Sequence, residues 1–170
     1  MNRARERFYK DMLKGNQVKE LVKILLEKAG YMVLPYGYEA TLSDMKKRLR
    51  EKGVRNSRTV RRIRTSPDLL VYDQERKDAM LVEVKMRGVP KEANVEYLRI
   101  ANYREFWNDS ILILVIPWGS VFYAQKVCEL EIKQTYDIMT DFEKMEDIFT
   151  KVKTQDIADL RGQALEIMGR

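Results

Sequence analysis

The chain has 170 residues, 45% of them hydrophobic and 34% charged, enough apolar content for one domain with a buried core and too much for a disordered tail. Lys and Arg number 32 against 26 Asp and Glu, a net charge of +6 that favours a polyanionic partner. With no histidine and one cysteine, Cys128, the composition excludes His-ligated zinc, Ser-His-Asp and Cys-His triads, a cysteine zinc cluster and an intrachain disulfide. Cys128, near the apolar Val127 and Leu130, reads as a small core residue, and a lone thiol suits a reducing compartment, the cytoplasm. The charged start, Met1 to Arg7, is unlike a secretory signal, and the longest apolar run, Ile111 to Ile116, is too short to span a bilayer.

In chain order, Val18, Leu21, Val22, Leu25 and Ala29 recur at helical spacing between Asn16 and Ala29, and Gly30 stops the run. Tyr31 to Pro35 reads as a short strand ended by a proline that cannot donate to a ladder. Thr41 to Asp44 can cap a second helix, Met45 to Lys52, closed by Gly53. Leu69 to Tyr72 and Met80 to Met86 read as two antiparallel strands around a polar turn, Asp73 to Asp78. A helix is expected from Lys91 to about Trp107, with Val95, Leu98, Ala101 and Phe106 broadly in phase. Tyr97, Tyr103 and Trp107 on it read as packing residues or as base-stacking platforms. Ile111 to Ile116 is continuously apolar, as a central strand covered on both faces requires. Val121 to Val127 reads as one more strand.

Charge divides the chain into blocks of opposite sign. Lys46 to Arg64 contains Lys46, Lys47, Arg48, Arg50, Lys52, Arg55, Arg58, Arg61, Arg62 and Arg64 against the single acid Glu51. Taken alone, such a run is a solvated helix and loop; set between core strands it reads as a phosphate-contacting arm. Between Glu129 and Asp159 the acids outnumber the bases, and Ile138, Phe142, Met145, Ile148, Phe149 and Val152 recur at helical spacing. This tail reads as one or two amphipathic helices that pack on the sheet or form a dimer interface. The organisation is a single domain over residues 1–170, with a core at about 15–127, a basic insertion at 41–65 and a C-terminal helical extension at about 129–170. Its fold class is α/β, a central mixed β-sheet flanked by helices.

Chemistry concentrates at Pro67-Asp68, where one strand begins, and at Glu83-Val84-Lys85 inside the next. Side chains alternate along a strand, so Glu83 and Lys85 share a face opposite Val82, Val84 and Met86. Charges on a buried-looking strand cost several kcal/mol unless they are paired or bound to metal. If the hairpin sets the start of its first strand beside Glu83, Asp68 joins them. Two carboxylates suit Mg²⁺ or Mn²⁺, and Lys85 would orient an attacking water or stabilise transition-state charge. Phosphodiester hydrolysis is the chemistry implied; a surface hairpin with salt-bridged charges is the plain alternative.

Pro67-Asp68 followed fifteen positions later by Glu83-Val84-Lys85 resembles the PD-(D/E)XK motif of the restriction-endonuclease-like nucleases, nearest in feel to archaeal resolvase-like or small repair nucleases. The likeness runs from the Gly15 to Gly30 helix through the Ile111 to Ile116 strand and implies an αβββαβ core. It implies that Asp68, Glu83 and the backbone carbonyl of Val84 bind Mg²⁺ or Mn²⁺, that Lys85 is the catalytic lysine, and that DNA is cut endonucleolytically to leave a 5′-phosphate. Duplex or branched DNA would lie along Lys46, Lys47, Arg50, Arg55, Arg58, Arg61, Arg62 and Arg64, and a homodimer would serve two-strand cleavage. Many members carry a glutamate in the first helix, but counting back from Gly30 lands on Lys19 rather than Glu20. Glu20 is therefore as well read as a solvent-facing residue as a metal-linked one, because one helical position is a 100° rotation. No Gln-x-x-x-Tyr follows the second strand, which disfavours the exonuclease branches. The alternatives are a non-catalytic nucleic-acid-binding module on the same fold and an interaction protein working through its acidic tail.

Overall fold

The computed structural model describes residues 3–37, 57–87, 92–94 and 100–169. They form helix α1 (Arg3–Lys28), strand β1 (Met32–Pro35), helix α2 (Arg58–Arg64), and strands β2 (Leu69–Asp73), β3 (Asp78–Met86) and β4 (Glu92–Asn94). Helix α3 (Ile100–Phe106), strands β5 (Ile111–Val115), β6 (Phe122–Lys126) and β7 (Thr135–Asp137), and helix α4 (Ile138–Asp141) follow. Strand β8 (Glu143–Lys144) and helices α5 (Met145–Ile148) and α6 (Thr154–Met168) close the chain.

These residues build a central six-stranded mixed sheet in the order β1-β2-β3-β5-β6-β8, in which β3 and β5 are parallel and every other neighbouring pair is antiparallel. The parallel pair needs a crossover, and α3 lies within it. Helices flank both faces. On one, Leu21, Leu25 and Leu26 of α1 and Ile157, Leu160 and Ala164 of α6 pack over Val82, Val84, Ile111 and Ile113. On the other, Ile100 and Tyr103 of α3, with Tyr136, Ile138 and Phe142, cover Leu112, Leu114 and Tyr123. Strand β5 alternates between the two clusters and is buried at all five positions, which is why its sequence is apolar throughout.

Local signals account for several boundaries. Gly30 takes a φ of 91° and lets Tyr31 N–H close back on the carbonyl of Leu26 at 3.1 Å, a left-handed helix stop. The β2-β3 hairpin forms as expected, its turn at residues 74–77 pinned by Asp73, which accepts from the amides of Glu75 and Arg76 at 3.0 and 3.2 Å. Among the described residues no helix is long and apolar enough to cross a membrane.

Other expectations are corrected. The first helix begins at Arg3, well before Asn16. Within the described part of the helix expected from Lys91 to Trp107, Ile100–Phe106 is helical as α3, whereas Glu92–Asn94 pairs antiparallel with β7, a long-range contact that local periodicity cannot report. The tail from residue 135 to 149 is broken into short strands and single turns, and the amphipathic helix is α6. Ile138, Phe142, Met145, Phe149 and Val152 are nevertheless buried and Ile148 partly so, because a succession of tight turns can face the core as a helix does. Cys128 is exposed rather than in the core: it lies in a single 3-10 turn, Val127–Glu129, whose threefold period aims Val127 and Leu130 inward and the thiol out. The helix expected over 45–52, with Lys46, Lys47, Arg50 and Arg55, lies outside the described residues.

Candidate active site

The pairing of β2 with β3 builds the site. Leu69 lies opposite Val82, so one step back along the chain sets Asp68 across from Glu83, with Lys85 two residues further along β3. The start of β2 is fixed on its other side as well, because the carbonyl of Asp68 accepts from the amides of Tyr36 and Gly37 at 2.9 and 3.3 Å. A Cβ at Gly37 would come within 3.3 Å of the Pro67 carbonyl, so this close approach favours glycine.

Each carboxylate has a lysine of its own. Asp68 Oδ2 accepts from the Val84 amide at 3.0 Å, and Oδ1 forms an ion pair with Lys19 Nζ of α1 at 2.6 Å. Glu83 Oε1 bonds the Lys85 ammonium, and the hydroxyl of Tyr103 from α3 bonds the same carboxylate. The Lys85 Nζ also stands 5.7 Å from the centre of the Tyr103 ring, a cation-π distance.

Burial separates the two acids. Glu83 is 4% exposed, and desolvation, reinforced by the neighbouring negative charge of Asp68, pushes its pKa up to about 7 against the opposing pull of Lys85 and Tyr103. The Asp68 side chain, 14% exposed, and that of Lys19, 34% exposed, stand closer to solvent. The residues fit a hard divalent cation: two carboxylates on paired strands supply the oxygen donors that Mg²⁺ or Mn²⁺ takes, and a buried acid crowded by a second one is a group that a cation would relieve. Among the described residues there is no group of three or more Asp, Glu, His or Cys side chains placed to hold a metal.

Glu20 does not join the cluster. Its side chain is 62% exposed and meets Lys23 at 3.5 Å on the outer face of α1, while Lys19, one position earlier, turns to Asp68. The 100° between successive helical residues separates them. In the sequence Lys19 stands out only as a departure from the family pattern; its place at i−3 from the buried Val22 is the signal that it flanks the packed face. Tyr103, a packing or stacking residue by sequence, is buried with its hydroxyl on Glu83.

The part of the basic segment within the described residues is α2, capped by Ser57, whose Oγ accepts from the Val60 amide at 3.2 Å. Arg58 and Arg61 reach Glu105 of α3 at 3.4 and 3.3 Å and lie 5.8 and 5.5 Å from the Phe106 ring centre. Arg62 lies 5.2 Å from the Trp107 ring, which Tyr36 meets edge-on at 6.1 Å. Thr65 and Ser66 return hydroxyl bonds of 2.8 Å to the carbonyls of Arg61 and Ile63, and the chain then enters Pro67-Asp68. Helix α3 thus holds the arginine helix through Glu105 and Phe106 and the carboxylate pair through Tyr103.

No protein-family model matches the chain, and no curated protein matches it. Among solved structures it is similar to Hjc, a Holliday junction resolvase from the archaeal hyperthermophile Archaeoglobus fulgidus, with a TM-score of 0.43 and 18% sequence identity over 79% of this chain and 99% of that one.

Proposed function

We propose that this chain is a Mg²⁺- or Mn²⁺-dependent endonuclease that hydrolyses DNA phosphodiester bonds and leaves a 5′-phosphate. The observation that carries the reading is the register of the hairpin, which sets Asp68 opposite Glu83 and Lys85 beside it. Asp68, Glu83 and the Val84 carbonyl would hold the cation, which when bound lowers the pKa of a coordinated water and offsets charge on the reacting phosphate. Glu83 must be ionised to serve, so it gives up its proton near neutrality. Lys85, held by Glu83 and the Tyr103 ring, orients the attacking water and stabilises the developing negative charge. Arg58, Arg61, Arg62 and Arg64 of α2, with Lys46, Lys47, Arg50 and Arg55, contact the backbone of duplex or branched DNA. The whole chain acts as one nuclease-like domain in the cytoplasm, with residues 41–65 as a basic insertion, and pairs as a homodimer when two strands are cut.

The test is cleavage of linear, single-stranded, nicked and four-way DNA with Mg²⁺ or Mn²⁺ by the wild type, D68A, E83A and K85A. Metal-dependent cutting by the wild type that both carboxylate variants lose is the expected result; full activity in either carboxylate variant overturns the assignment. A second reading, a nucleic-acid-binding module without turnover, is favoured by one observation, the ammonium of Lys19 on Asp68. DNA binding without cleavage of any of the four substrates would select it.

A further inference from the structure

Both oxygens of Asp68 are engaged: the Val84 amide holds Oδ2 and the Lys19 ammonium holds Oδ1. The amide belongs to a paired strand and stays where the register puts it. Lysine is different, since its ammonium rides on four rotatable carbons and this side chain is one-third open to solvent. Each carboxylate oxygen keeps a second lone pair, but a cation arriving at Oδ1 meets the Lys19 charge 2.6 Å from it, and the two compete for the same negative charge. Lys85 is in another position, bonded to a buried carboxylate and packed on an aromatic ring.

We propose that Lys19 is the resident counter-ion of this centre, displaced from Asp68 when a divalent cation binds and then placed to bind a non-bridging oxygen of the DNA phosphate. The inference rests on Asp68 and Glu83 being the cation ligands. Two cations that share one carboxylate oxygen oppose each other's binding, so removing one tightens the other. Once released, the ammonium remains tethered to α1 within its own length of Asp68, where a phosphate drawn to the cation must lie. There it makes a charge-assisted hydrogen bond that Asp68 no longer accepts.

The test uses the full chain stripped of metal. Free Mn²⁺ is followed by electron paramagnetic resonance during titration of the wild type, D68N, K19M, K19R and K19E at fixed ionic strength, with circular dichroism checking each fold. D68N should lose the site. K19M should bind Mn²⁺ about tenfold more tightly than the wild type, K19E more tightly still, and K19R like the wild type. In a second arm, a cleavage-resistant phosphorothioate duplex should bind K19M several-fold more weakly than the wild type with Mn²⁺ present, and equally well without it. Mn²⁺ binding that depends on Asp68 but is the same in the wild type, K19M and K19E overturns the role of Lys19 and leaves the cation site standing. Absence of Asp68-dependent binding in the wild type overturns both. Tighter Mn²⁺ binding by K19M with unchanged DNA binding rejects the phosphate contact.

Discussion

An aspartate–lysine pair with a 2.6 Å contact stands at each end of strand β2, Asp68 just before it and Asp73 at its close, and the two differ in burial and in the charges beside them. At the hairpin end, Asp73 is 2% exposed and accepts from Lys151 and from the amides of Glu75 and Arg76, which together hold its pKa below the usual carboxylate range, the lysine foremost. Burial there is answered by donors, and the result is a closed turn. At the other end burial foremost, and the charge of Asp68 after it, push the pKa of Glu83 upward toward neutrality instead. A carboxylate surrounded by donors stabilises a fold; two carboxylates crowded together leave a demand for positive charge that two lysines meet only in part.

The largest effect that would break this comparison is on cleavage. Asp68→Ala and Glu83→Ala should each reduce Mg²⁺-dependent DNA cleavage by about a thousandfold or more, roughly 4 kcal/mol of transition-state stabilisation, while Asp73→Asn leaves the rate per folded molecule unchanged. Single-turnover assays on a labelled duplex and a four-way junction check this, and equal losses in all three variants would erase the distinction between the ends.

Stability should separate the ends by sign. Glu83 has a folded pKa of about 7, above its ordinary 4.5, so its protonated form supports the fold fully below about pH 4.5 and that support is lost as pH rises through 7. Glu83→Gln should therefore stabilise the metal-free protein at pH 8 relative to pH 4 by about 3 kcal/mol, measured by denaturant unfolding at the two values. Asp73 runs the other way: its lowered pKa supplies stability above the unfolded value of 3.8, lost as pH falls through the folded one. Asp73→Asn should lower the melting temperature at pH 7, with the difference from wild type shrinking toward pH 3. The same pH trend in both variants would contradict the contrast.

Binding offers a smaller and sharper measure. Replacing Arg61, Arg62 and Arg64 together with Ala should weaken DNA binding and flatten the dependence of log K on log salt by about three contacts' worth, the slope being close to one per phosphate neutralised. Arg58→Ala alone should weaken DNA binding and flatten the slope less than the triple replacement, since it removes one charge rather than three. Fluorescence anisotropy across a salt series reads both, and an unchanged slope in the triple variant removes the helix from the DNA interface.

What could be read from residue order is what local rules govern. The continuous apolar run of β5 announced a strand buried on both faces, and Gly30 announced a helix stop. The alternation in β3 put Glu83 and Lys85 on one face before any fold was known. Less legible were groups joined across long stretches of chain. The strand Glu92–Asn94 depends on a partner more than forty residues away, and the turns of the tail mimic helical spacing without being a helix. Cys128 looked buried by its neighbours and is turned out by the 3-10 period.

By itself, the order of amino acids determined the absence of imidazole chemistry and of an intrachain disulfide, the basic character of the middle of the chain, and the identity of the two acids and the lysine of the hairpin. Tertiary structure alone decided that Lys19 rather than Glu20 faces Asp68, that Tyr103 bonds Glu83, and that the pKa of Asp73 is held down while that of Glu83 is pushed up. The reason is physical: which residues are present is written along the chain, but desolvation and Coulomb energy depend on distances between segments that only packing brings together.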